Sequence, residues 1–279
     1  LPDNQSYRRY ADLGRTAAVR NVVAAPALSL KLKTWCFPVV GCVGYRGYYR
    51  EADAKELAAE LAKDGWEVSV YPVPAYSTLG KLEWLGGDPL LNTSVNHNEG
   101  DLARLIFHEL SHQVSFAPGD TSFNESFATA VERLGGARWL ALHAPPGSQA
   151  QMARRDAIRA EFRELVSRHR AELEALYGGQ ATDQAKQQGK LQIMARMRAA
   201  HQALKQERWS GNTAYDAWFA GANNAVLGIM ASYNEWVPAF EALFQQQGQD
   251  FERFYAEVKR LADLPPDERR ATLARLMPR

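Results

Sequence analysis

Two histidines one helical turn apart, with a glutamate between them, constrain this chain more than any other feature. The run is His108-Glu109-Leu110-Ser111-His112. On a helix, positions i and i+4 share a face, so one metal ion can take a nitrogen from each ring while the glutamate stands beside it. The flanks fit that geometry: Leu102, Leu105, Ile106, Leu110 and Val114 recur at helical spacing through residues 101–116, which predicts an amphipathic helix. Catalytic zinc normally uses three protein ligands and keeps a fourth position open. Two histidines therefore demand a third donor, and Glu125 is the nearest acidic candidate.

Ala117-Pro118-Gly119-Asp120 predicts a turn after the histidine helix. Ser122 reads as the N-cap of a second helix running through Phe127 and Val131 to Leu134, with Gly135-Gly136 as a stop or kink. A short connection favours antiparallel neighbours, which would fold the first turn of the second helix back over the histidines. Ser122-x-x-Glu125 also fits a capping box, in which the glutamate merely satisfies a backbone N–H. The incomplete ligand count favours Glu125 as a ligand.

The stretch Asn124-Glu125-Ser126-Phe127-Ala128, continued to Gly135, resembles the second-helix motif of the gluzincin aminopeptidases, whose glutamate is a zinc ligand. Glu132, seven residues after Glu125 and on nearly the same face, would orient a ligand histidine or the substrate amine. The gap of twelve residues between His112 and Glu125 is shorter than in those enzymes. The whole chain is more similar to a bacterial family of zinc-dependent aminopeptidases known by prediction. Residues 6–15, 35–49, 74–80 and 88–93 carry its motifs, and residues 223–227 and 237–240 extend the match. That resemblance implies a zinc cofactor, a peptide substrate and a zincin-like core. It also implies a bacterial periplasmic location, with a lipid-anchored segment upstream of Leu1 as the sole membrane attachment. The chain opens at Leu1 without a methionine, which fits a segment removed or omitted there.

Formal net charge is +1 with no long run of one sign, which argues against nucleic acid as the main partner. No stretch approaches the roughly 20 apolar residues that span a bilayer. With 279 residues, 46% of them hydrophobic, the chain can bury one elaborated domain or two small ones. The two cysteines, Cys36 and Cys42, lack zinc-pair spacing. They fit either a short-loop disulfide, at home in an oxidising compartment, or two buried small hydrophobes.

The fold class expected is α+β, mostly helical: a zincin-like metallopeptidase core with a small sheet and a long helical hairpin. Residues 1–147 form the catalytic core with N-terminal helices, and residues 148–279 the helical region completing the cleft. Residues 1 to about 33 read as helical, 37–45 as a strand, 51–63 as a helix and 66–73 as a half-buried strand. An outer strand of this sheet could hold an extended peptide across the metal. Ile158, Phe162, Leu165, Val166, Leu173 and Leu176 mark one arm of the hairpin. After Gly178-Gly179, Leu191, Ile193, Met194, Met197 and Leu204 mark the other. Further helices are expected over about 213–236 and 237–262, ending at Pro265-Pro266.

On the family's mechanism, Glu109 is the general base. Tyr233 is the candidate oxyanion donor, with Tyr215 and Tyr76 as rivals. Asn223 and Asn224, polar in an apolar helix, either line the cleft or bond backbone. Arg46 and Tyr48 are candidate substrate contacts. His97 and His201 belong to no spaced cluster and read as ordinary histidines. The alternatives are a zinc endopeptidase and a non-catalytic scaffold that keeps zinc structurally.

Overall fold

The structure is a computed structural model that describes residues 1–38, 41–75, 78–81, 83–144 and 148–278. It is mostly helical, with small sheets near the amino terminus. The elements run β1 (Tyr10–Ala11), β2 (Val19–Pro26), β3 (Trp35–Phe37), β4 (Gly41–Val43), β5 (Arg46–Tyr48), α1 (Glu51–Lys63), β6 (Trp66–Val73) and β7 (Leu90–Leu91). Then follow α2 (Glu99–Val114), α3 (Thr121–His143), α4 (Ser148–Gly178), α5 (Asp183–Glu207), α6 (Asp216–Gly221), α7 (Asn224–Asn234), α8 (Val237–Gln246), α9 (Phe251–Ala262) and α10 (Pro266–Leu276). Among the described residues no helix is long and apolar enough to cross a membrane.

The first 33 residues are not helical. Val19–Pro26 is the central strand of an antiparallel sheet ordered β5-β2-β6, with Val22 opposite Val70 and Arg46. Val22 and Ala24 face α1, packing with Ala54 and Leu61, while Val23 and Ala25 face α7, packing with Ala225 and Ile229. A strand covered on both faces needs no polar alternation, so its alanines and valines show no period of two, and alanine misleads by its helix propensity. α1 and β6 occupy the ranges the sequence predicts.

The region expected as one strand over 37–45 is two short strands, β3 and β4, paired with Cys36 opposite Cys42 and joined by a disulfide. Gly41 holds φ +76°, and a Cβ there would stand 2.6 Å from the backbone nitrogen of Gly119. The hairpin thus lies directly against the α2–α3 connection.

The cap of α3 lies two residues before the predicted one. Asp120 is the N-cap, its side chain accepting from the Phe123 amide, so Glu125 has no role in a capping box. The Gly135-Gly136 pair does not stop α3. It lets α2 approach closely instead, since a Cβ on Gly136 would come within 2.6 Å of Arg104 Cγ and one on Gly135 within 3.0 Å of Phe107. With Gly100 facing Leu140, these contacts make α2 and α3 antiparallel.

Phe123, Phe127 and Val131 of α3 pack with α8, α9 and α10 in the largest apolar core. The α4–α5 hairpin encloses a second core around Phe162, Leu173, Met197 and Trp209. Leu191, predicted to be apolar-facing, is 70% exposed. The helix expected over 213–236 divides into α6 and α7, and the one over 237–262 into α8 and α9. Pro265-Pro266 is followed by α10 rather than by the end of helical structure.

Candidate metal centre and cleft

α2 brings His108 and His112 against Glu125, which enters from the first turns of α3, while Glu109 of α2 lines the cleft beside them. His108 Nε2 lies 3.3 Å from Glu125 Oε2, and His112 Nε2 lies 3.8 Å from the same oxygen. These three side chains offer ligand atoms within 4.8 Å of one another, so the cluster could hold a metal ion. All three are nearly buried, with side-chain exposures of 12%, 10% and 10%. Yet Glu125 Oε2 has no well-aligned hydrogen-bond donor among the described residues. A buried carboxylate oxygen without a donor is costly unless a cation answers it. Two imidazoles and a carboxylate are a donor set that suits zinc.

The electrostatics point the same way. Burial pushes Glu109 up to about 7, His108 opposes it, and Glu125, Asp88 and Glu132 reinforce it. Burial lowers His112 to about 4, leaving a neutral ring with lone pairs to donate. Glu125 is held below the usual carboxylate range, because His108, His112 and Tyr233 outweigh its burial. For His108, burial favours the neutral ring, but flanking Glu125 and Glu132 raise it well above its ordinary value. Three carboxylates around two rings make a pocket built for positive charge.

Glu132, two turns along α3, approaches His108 Nδ1 to 3.3 Å. That is the carboxylate–histidine contact that fixes a ligand ring and raises its basicity. Tyr233 of α7 stacks near His108, with ring centroids 6.1 Å apart. Its hydroxyl is in hydrogen-bonding reach of Glu125 and of Tyr71. Burial, then Glu125, Tyr71, Tyr45 and Glu109, keep the phenol protonated well above its ordinary range.

The other candidates lie elsewhere. Tyr215 stacks on Phe162 at 3.9 Å, in a compartment reached past Tyr233. Tyr76 is outside the described residues. Asn223 caps α7 and donates to Val68 O at 3.0 Å. Asn224 is wholly buried, donates to Pro26 O and Ala27 O, and accepts from Tyr177. Both asparagines hold backbone, tying α7 to the sheet. Arg46 is exposed and lies over the Tyr48 ring at 5.4 Å, while Tyr48 itself lines the cleft. His201 is buried beside Asp216 and stacks on Phe219, and His97 lines the cleft on its polar side.

The cleft has two unlike halves that meet at His108, Glu109 and Tyr233. One, of about 390 Å³, is walled by Phe37, Val43, Tyr48, Tyr49 and Phe116. The other, of about 610 Å³, is walled by His97, Asp101, Arg104, Glu132 and Arg159. Sequence reasoning missed Tyr45 and Tyr71, which surround Tyr233, and Asp88, which acts on Glu109. Tyr45 lies inside the glycine-flanked segment that drew attention to Arg46 and Tyr48, and Asp88 opens the motif at 88–93, but neither position was singled out; Tyr71 has no local signal.

Residues 1–273 match the family described as "Putative aminopeptidase". The chain belongs to that family. No curated protein and no solved structure matches it. Family and cluster together indicate a peptidase with a site able to bind metal.

Proposed function

We propose that the protein is a zinc-dependent aminopeptidase in which Glu109 is the general base. The observation that supports this best is the convergence of His108 Nε2, His112 Nε2 and Glu125 Oε2 beside a buried Glu109, in a chain of this family. Zinc bound by those three side chains would supply Lewis acidity towards a peptide carbonyl and towards water.

The chain's own groups do the rest. Glu109, held near neutral titration by burial, takes a proton from the attacking water and returns it to the leaving amine nitrogen. Tyr233 keeps its proton and can donate a hydrogen bond to the oxyanion as it develops. Glu132 holds His108 in orientation. At 36% exposure its carboxylate also faces the polar half of the cleft, where it can meet the ammonium of a peptide's amino terminus. The aromatic half then takes apolar side chains from the remainder of the substrate. The disulfide in the hairpin beside this half suits an oxidising compartment such as the periplasm.

The test is hydrolysis by the zinc-loaded protein of a peptide set with free amino termini, against the same peptides acetylated. Cleavage confined to the free peptides is expected. Equal rates on both sets would make the enzyme an endopeptidase, and no hydrolysis of either would favour a zinc-stabilised scaffold.

A further inference from the structure

Past Glu132, a third cavity of about 450 Å³ opens between α3, α4 and α7. Glu132 and Tyr233, which also line the cleft, form part of its wall, so it adjoins the metal cluster. Four arginines surround it, Arg104, Arg133, Arg159 and Arg163, against the carboxylates of Glu132 and Asp156. Three of the four are engaged. Arg104 forks onto Asp156 at 2.6 and 2.7 Å, and Arg159 reaches Asp101 at 2.6 Å. Arg133 donates to Asn234 at 2.7 Å and lies 3.5 Å from Glu241.

Arg163 differs from its neighbours. It is half-buried, and no described residue gives it a hydrogen bond or an ion pair. Burial and the adjacent charge of Arg133 hold its guanidinium below the ordinary value, against weaker support from Tyr215, Glu241 and Glu132. A desolvated cation pressed against another cation is unfavourable without an anion. The planar guanidinium fork matches a carboxylate in shape as well as charge. Among the described residues, the aromatic half of the cleft carries no charged residue beyond the cluster and Glu109.

We propose that Arg163, with Arg133 beside it, is a carboxylate-binding subsite for the peptide held at the metal cluster. The inference rests on the peptidase reading. The carboxylate can come from an acidic side chain on the amino-terminal residue, or from the free carboxy terminus of a short peptide. Both present the same group to the same fork.

The experiment uses the full zinc-loaded chain carrying Glu109→Gln, so that peptides bind without being consumed. Calorimetry compares three peptides: amino-terminal Glu with an amidated end, amino-terminal Gln with a free carboxylate, and amino-terminal Gln with an amidated end. At least one carboxylate-bearing peptide is expected to bind about tenfold more tightly than the neutral one, as a charge-assisted fork warrants. Whichever does so names the source. Adding Arg163→Gln is expected to bring that advantage to within about twofold while leaving the neutral peptide's affinity unchanged. Arg163→Lys, which keeps charge but loses the fork, should retain part of the advantage, and serves if the Gln variant fails to fold. Equal binding of all three peptides, or an advantage untouched by both substitutions, overturns the subsite alone. If none of the three binds, the peptidase reading falls and the subsite with it.

Discussion

Two clusters of buried charge sit along α3, and they are finished in opposite ways. At its start, Arg269 of α10 is 5% exposed and fully engaged. It donates to Leu261 O, Ala262 O and Leu264 O, meets Asp120 Oδ2 at 2.7 Å and lies over the Phe123 ring. Asp120 spends its other oxygen capping α3. Five residues on, Glu125 packs against two histidines with an oxygen that no aligned donor among the described residues reaches, and Glu109 is buried among further carboxylates. Protein groups answer every charge in the first cluster; the second could hold a metal ion. Burial alone therefore does not separate these two clusters, whereas their hydrogen-bond satisfaction does.

Substitutions at the two clusters should fail in different ways. The largest effect is expected from Glu109→Gln, which removes one proton acceptor and leaves shape and metal ligands in place. Its kcat on peptides should fall by about 10²–10⁴-fold, with the thermal transition and the metal content unchanged. A variant that keeps near wild-type turnover would remove Glu109 from the chemistry. Arg269→Met should do the reverse. It strands Asp120 and three carbonyls, so denaturant unfolding should show a loss of about 3–5 kcal/mol, while each folded chain still binds its metal. A stability unchanged within about 0.5 kcal/mol would mean that this cluster is not the structural one. A smaller effect is expected from Glu132→Gln. Loss of the carboxylate on His108 Nδ1 should weaken metal affinity about 10–100-fold in a competition titration, with the fold intact. Equal affinity would leave Glu132 with no orienting role.

The metal cluster was legible because its signal is local. His108 and His112 share a turn, and the demand for a third donor points forward to Glu125. The α4–α5 hairpin was legible for the same reason, since a long apolar stripe broken by Gly178-Gly179 needs no partner to be read. Val19–Pro26 was not, because its strand character comes from being sandwiched between α1 and α7, which lie far along the chain. Asn223 and Asn224 were ambiguous until the carbonyls of Pro26, Ala27 and Val68 stood opposite them. In the sequence nothing sets Arg163 apart from the other arginines of α4. Only the arrangement of Arg104, Arg133 and Arg159 around it shows that, of these four, it has no hydrogen-bond or ion-pair partner among the described residues.

The most direct test of the central claim is zinc binding by the purified chain and by its Glu125→Gln variant, measured as stoichiometry and affinity in a chelator competition. One zinc per wild-type chain is expected, with affinity reduced at least about tenfold in the variant and folding retained. Wild-type protein that takes up no zinc, or a variant that binds it as tightly as the wild type, would contradict the metal site built from His108, His112 and Glu125.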